Sequence, residues 1–297
     1  MRTLSTGRRR PFGAAFVALV ALAAAGCSAG TGAEPGDTGL PDGVEVEIVQ
    51  LRADVSTRTA QVSVHNGSDE TLVIGDVRVS DPRFADDATR DVARESRVAP
   101  GVTVNVRVQL PEVACPAPDD AEPRVTLAFT REDGATGKAT VPAADPLGFI
   151  APLHERECRA QSVADAATIA FEHFTPSPAG APARLDLAIE PTGAGSLAIE
   201  GVQETNLISF GTATVDGAYP VGLDVSTGGS DRTVISLPIV PFRCDPHAVQ
   251  EDKRGTIFDV RVVLDGEPGE IEVFVGEDMR GKILSWVADW CGFGPGA

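Results

Sequence analysis

From residue 44 onward, apolar and polar positions alternate in short runs. Val44-Glu-Val-Glu-Ile-Val49 and Ala60-Gln-Val-Ser-Val64 are two such runs. In the stretch 102–110, Val104, Val106 and Val108 fall on one face, with Asn105, Arg107 and Gln109 on the other. A period of two is the signature of a half-buried strand. The same pattern predicts strands over 72–79, 125–129 and 140–141. In the second half it predicts strands over 167–171, 184–189, 197–202, 221–225, 234–240, 256–264 and 270–275. Turn residues separate them: Asn66-Gly67, able to take positive φ, then Glu132-Asp133-Gly134, Asp265-Gly266 and Gly269. Helix signals are few. Apolar residues at 283, 284, 286, 287 and 290 suit a short amphipathic helix over 283–290, with Trp286 and Trp290 sharing a face. About seven short strands in each half, punctuated by turns, predict an all-β chain of two tandem immunoglobulin-like β-sandwich domains. Immunoglobulin domains proper place a Trp between cysteines on two central strands. That Trp is missing, so the expectation is of architecture and not of family.

The two halves repeat one another. Asp145, Gly148, Ile150 and Cys158 coincide without a gap with Asp278, Gly281, Ile283 and Cys291. Leu110-Pro111 precedes Cys115 as Leu237-Pro238 precedes Cys244, and Leu72, Ile74 and Val77 match Leu197, Ile199 and Val202. Their common order predicts a duplication, with one domain over 44–159 and the other over 163–297. Four cysteines allow three connectivities. The duplication makes Cys115–Cys158 and Cys244–Cys291 the natural pairs. Each bridge is expected to contribute about 3–4 kcal/mol by loop entropy.

Ahead of the strands, Arg2, Arg8, Arg9 and Arg10 precede an uncharged apolar run from Gly13 to Ala25. The run is too short to span a bilayer as a helix and fits the apolar region of a signal peptide. It ends in Ala24-Ala25-Gly26-Cys27, which resembles the lipobox of bacterial secreted lipoproteins, with Ala24 where Leu is usual. The resemblance covers residues 1–27 only. It implies a signal peptide over 1–26, cleavage before Cys27, and acylation (palmitate) of that cysteine at the outer face of the cell membrane. Arg9-Arg10-Pro11-Phe12 also resembles a twin-arginine signal, so the export route stays open. Residues 27–43, rich in Gly, Ala, Thr, Pro and Asp, read as a flexible tether. An even set of cysteines in an exported chain suits two disulfides.

Charge narrows the partners. Four of the 25 basic residues and none of the 43 acidic ones fall in 1–26, so the remainder carries 21 against 43, a net charge near −22. Such a chain is repelled by nucleic acid. Its partners are expected to be the lipid membrane, through acylated Cys27, and an envelope protein or cell-wall component. The four histidines, His65, His154, His173 and His247, show no close metal-ligand spacing. No nucleophile elbow, P-loop or dinucleotide fingerprint is present. No cofactor and no catalytic residue is expected. The loop 244–255 concentrates His247, Lys253 and Arg254 in an acidic protein. These three, with Trp286 and Trp290, are the candidate partner contacts. Local ion pairing and core capping are the alternatives for the same residues. The expected function is that of a non-enzymatic surface lipoprotein with a binding or structural role. An envelope hydrolase with an acidic site, or the solute-binding lipoprotein of a transporter, are the competing readings.

Overall fold

In the computed structural model, which describes residues 38–118, 121–250 and 254–294, the chain forms two β-sandwiches in tandem. The signal segment, Cys27, most of the tether and Lys253 lie outside the described residues. The first sandwich comprises β1 (Val44–Val49), β2 (Thr59–Asn66), β3 (Leu72–Ser80), β4 (Ala88–Arg90), β5 (Ser96–Val98), β6 (Thr103–Gln109), β7 (Arg124–Thr130) and β8 (Thr136–Pro142). A short helix, α1 (Arg52–Val55), links its first two strands, and α2 (Ile150–Ala166) follows its last. The second sandwich comprises β9 (Ala167–Thr175), β10 (Ala183–Pro191), β11 (Leu197–Gln203), β12 (Ile208–Ser209), β13 (Ala218–Val225), β14 (Thr233–Pro241), β15 (Ile257–Leu264) and β16 (Glu267–Phe274). The helix α3 (Pro246–Gln250) lies in its β14–β15 connection, and α4 (Glu277–Trp290) follows β16.

The strand order is the same twice. In the first sandwich the neighbours run β1-β2-β6-β4 and β5-β3-β7-β8, and in the second β9-β10-β14-β12 and β13-β11-β15-β16. One difference is that β4 also pairs with β3, joining the first sandwich's two faces into one continuous sheet. Both copies carry a bulge at the same place, between Ile74 and Val77 on β3 and between Ile199 and Gly201 on β11. Each sandwich thus has eight strands rather than about seven. Those the alternation did not show are β4, β5 and β12, of two or three residues, too short to display a period.

Alternation places the cores where the sequence put them. Val62 and Val64 on β2 and Val106 and Val108 on β6 are buried, while Arg107 between them is exposed. Phe258, Val260 and Val262 do the same on β15. Each fully buried Val, Ile or Phe contributes about 1.5–3 kcal/mol. The Asp265-Gly266 hairpin turns with both residues at positive φ, 51° and 85°, the conformation that matches strand twist. Asn66-Gly67 differs from expectation, because neither residue has positive φ. Gly67 is required instead by close approach, since a Cβ there would lie 2.3 Å from the Gly43 carbonyl oxygen.

The larger departure is α2. The chain between the sandwiches is one continuous helix, and the expected boundary at 159–163 falls inside it. Ile150 and Leu153 are buried in the first core; Val163 and Ala166 are buried in the second. At about 100° per residue the two pairs lie roughly 140° apart around the axis, as contact with two different bodies demands. No single apolar stripe runs its length, which is why periodicity did not reveal it. The repeat match survives this correction. Ile150 and Leu153 correspond to Ile283 and Trp286 of α4, which are buried in the second core. The repeating unit is therefore eight strands and a helix. The helix α4 also begins six residues earlier than expected, with Glu277 and Asp278 in its first turn, where acidic side chains suit the helix dipole.

Candidate functional site

The second unit's helix and the loops around it bring together most of the residues marked by sequence. Cys244 and Cys291 are bonded, tying the β14–β15 connection to the end of α4. Cys115 and Cys158 do the same in the first unit, tying the β6–β7 connection to α2. These are the pairs the duplication implies.

Trp286 does not form an exposed platform. It is 5% exposed, its ring meets Phe174 edge-on at 5.6 Å, and its indole N–H donates to the Ser177 carbonyl at 3.1 Å. The half-buried Trp290 donates likewise to the Ala181 carbonyl at 3.2 Å. The two indoles therefore clamp the β9–β10 connection against α4. This is the core-capping role, reached because each ring has an apolar body to bury and one donor to satisfy. Beside the clamp is an open groove of about 570 Å³, walled by Phe174, Pro176, Ser177, Lys282, Ser285 and the edge of Trp286. Lys282, one of three lysines, is exposed on its rim, with no ion pair among the described residues. Sequence reasoning named Trp286 but missed Phe174 and Lys282. The scarcity of lysine was the one available signal.

His247 is exposed on α3, and its backbone N–H donates to the Asp245 carboxylate at 3.0 Å. Val249, on the same short helix, is buried and anchors it to the second core. Arg254 is not a free donor. Its guanidinium meets Glu272 at 2.9 Å and Asp259 at 4.0 Å, and the hydrogen bond to Glu272 raises its pKa. Asp259 is pushed above the ordinary carboxylate range by burial and by Glu272 on the neighbouring strand. Arg254, Asp259 and Glu272 form a cross-strand ion-pair ladder on the outer face of β15–β16. This is the local-pairing alternative for that residue.

Two other polar clusters are structural. Burial pushes the Glu204 carboxyl up, but hydroxyls of Ser209 and Thr214 and the Phe210 N–H donate to it and hold its pKa below the ordinary value. Asp81, almost fully buried, takes two hydrogen bonds from the Arg83 side chain, and that bond raises the arginine's pKa. Cys115, His154 and Cys158 form one compact group whose ligand atoms lie within 4.8 Å of one another. Its two sulfurs are bonded to each other, which leaves no thiolate to ligate a metal.

The fold and these contacts define an all-β chain of two tandem immunoglobulin-like sandwiches, each closed by a disulfide-tied helix. No family model matches it, and no curated protein does. Among solved structures it is similar to the YadV chaperone, at 11% identity and a TM-score of 0.22, covering 77% of this chain and 97% of that one. It is similar also to the CupB2 chaperone of Pseudomonas aeruginosa, at 12% identity and a TM-score of 0.19, covering 78% and 97%. The chaperone–tip adhesion subunit complex of the Csu pili of Acinetobacter baumannii matches at 10% identity and a TM-score of 0.19, covering 73% and 91%. Similarities at this level carry no functional assignment.

Proposed function

We propose that this is a non-enzymatic surface lipoprotein, held at the outer face of the cell membrane through acylated Cys27, with a binding or structural role in the cell envelope. The observation that carries the reading is α2. One helix is rooted in both cores, so the sandwiches are joined by packed structure rather than by a free linker. Such a unit sets distance and orientation from an anchor. The lipobox residues and the tether support the anchor, and two disulfides suit an exported chain. The partner is an envelope protein or a cell-wall component, met through the second unit's α4 end and its 244–255 connection. The competing hydrolase reading would need an acidic pair free to act, whereas Asp259 and Glu272 are engaged with Arg254. The transporter reading would need sheets alternating with helices, whereas the strand pairings here are antiparallel hairpin and Greek-key contacts.

Cell fractionation with a crosslinking pull-down tests the proposal. The native protein is expected in the membrane fraction and Cys27→Ser in the soluble or secreted one. His247→Ala with Lys253→Ala, which leaves the Arg254 ion pairs intact, is expected to lower partner recovery at an unchanged melting temperature. Membrane retention of Cys27→Ser would refute the anchor. Full recovery of the partner, or a clear loss of stability, would leave the loop a purely structural role.

A further inference from the structure

The two disulfides occupy equivalent places in the repeat but have different surroundings. In the first unit, His154 lies one helical turn before Cys158 on α2. Its Nε2 is 2.9 Å from the Ala114 carbonyl oxygen and 3.2 Å from Cys158 Sγ. A carbonyl oxygen only accepts, so Nε2 carries the hydrogen. A disulfide sulfur has no hydrogen to give, so the same N–H also faces Cys158 Sγ as a donor. In the second unit the residue one turn before Cys291 is Val287, fully buried and without a donor. Solvent access does not separate the pairs: Cys158 and Cys291 are both half-buried, and Cys244 is exposed.

We propose that Cys115–Cys158 is a thiol-exchange site, opened by a thiolate reductant with His154 as the group that stabilises the departing sulfur. The attacking thiolate bonds to Cys115 Sγ, the S–S bond breaks, and its electron pair leaves on Cys158 Sγ. The His154 N–H then meets a full negative charge 3.2 Å away. A second reductant thiolate attacks the mixed disulfide and releases Cys115 as a thiolate. Two reductant thiolates become one disulfide, and the protein takes up two electrons. Exchange is faster when the departing thiolate is better stabilised, and an N–H donor held at that sulfur favours its charged form. The other disulfide lacks this help and stays closed, holding α4 to its sandwich. The proposal does not depend on the membrane anchor.

The test measures the opening of each disulfide in the intact protein at neutral pH. Dithiothreitol and a thioredoxin-type protein serve as separate reductants at equal thiol concentration. Opening is read by alkylation and peptide mass spectrometry. Cys115–Cys158 is expected to open first in at least one arm, and the faster arm identifies a small thiol or a protein thiol as the better source. His154→Val, which installs the second unit's residue, is expected to slow that opening about tenfold. The Cys244–Cys291 rate serves as internal control and should not change. His154→Gln serves where the valine variant does not fold, with the same direction and a smaller drop. Earlier opening of Cys244–Cys291 in both arms would overturn the proposal. So would a rate at Cys115–Cys158 that is unchanged or raised in the folded variant.

Discussion

Asn66 shows what single residues in this chain do and how much of that a sequence exposes. Asn followed by Gly reads as a tight turn. Here Asn66 ends a strand, is fully buried, and uses its whole amide. Nδ2 donates to the carbonyls of Glu70 and Val98, at 2.8 and 2.9 Å, and Oδ1 accepts from the Ser68 backbone and hydroxyl. Val98 lies 32 positions away, so no local pattern could have announced it. Asn66→Asp keeps the shape but sets a carboxylate against two carbonyls, and should cost about 2–3 kcal/mol in urea unfolding. An unchanged midpoint would show that the amide network is dispensable. Glu204 gives the corresponding pH effect. Its folded pKa lies below the ordinary 4.5, so its contribution is complete above that value and is lost as pH falls through the depressed one. Glu204→Gln should therefore make the second sandwich less sensitive to acid below pH of about 4.5. A melting temperature that falls with acid as steeply as in the native protein would contradict this.

At the scale of elements, all but the shortest strands were legible, α4 was legible in part, and α2 was not. The alternation of Val104, Val106 and Val108 exposes the inner face of β6 directly. The helix α2 is made of good helix formers, but its first turn serves one core and its last turn the other. Between them, polar and covalent contacts take over: Arg58 reaches Glu157 with both terminal guanidinium nitrogens, and His154 and Cys158 hold the β6–β7 connection. A reading that requires one stripe over the whole length therefore fails. The same logic predicts what breaks it. Ala160→Pro lies between the two anchored ends and should cost about 3 kcal/mol of helix. Small-angle scattering should then show a broader spread of distances between the sandwiches. An unaltered distance distribution would mean that α2 does not set their relation. The candidate site was legible in part, by the same rule. The aromatic pair and the cysteines stood out by rarity. Phe174 and Ser177, which complete the groove wall, are joined to Trp286 only across 109 or more positions of chain.

At the scale of the whole molecule, the duplication is the organising fact. Strand order, bulge position, disulfide and buried helix residues all recur, while the surroundings of the two disulfides and the loop charges diverge. A duplicated scaffold with diverged ends fits a molecule that holds a position and presents a surface, provided it is anchored at its start. The proposed anchor rests on one residue, Cys27, and the most direct measurement is the mass of the N-terminal peptide of the mature protein recovered from membranes. A chain beginning at Cys27 and carrying acyl groups on that cysteine is expected. A mature chain beginning elsewhere, or Cys27 recovered with a free thiol, would contradict it.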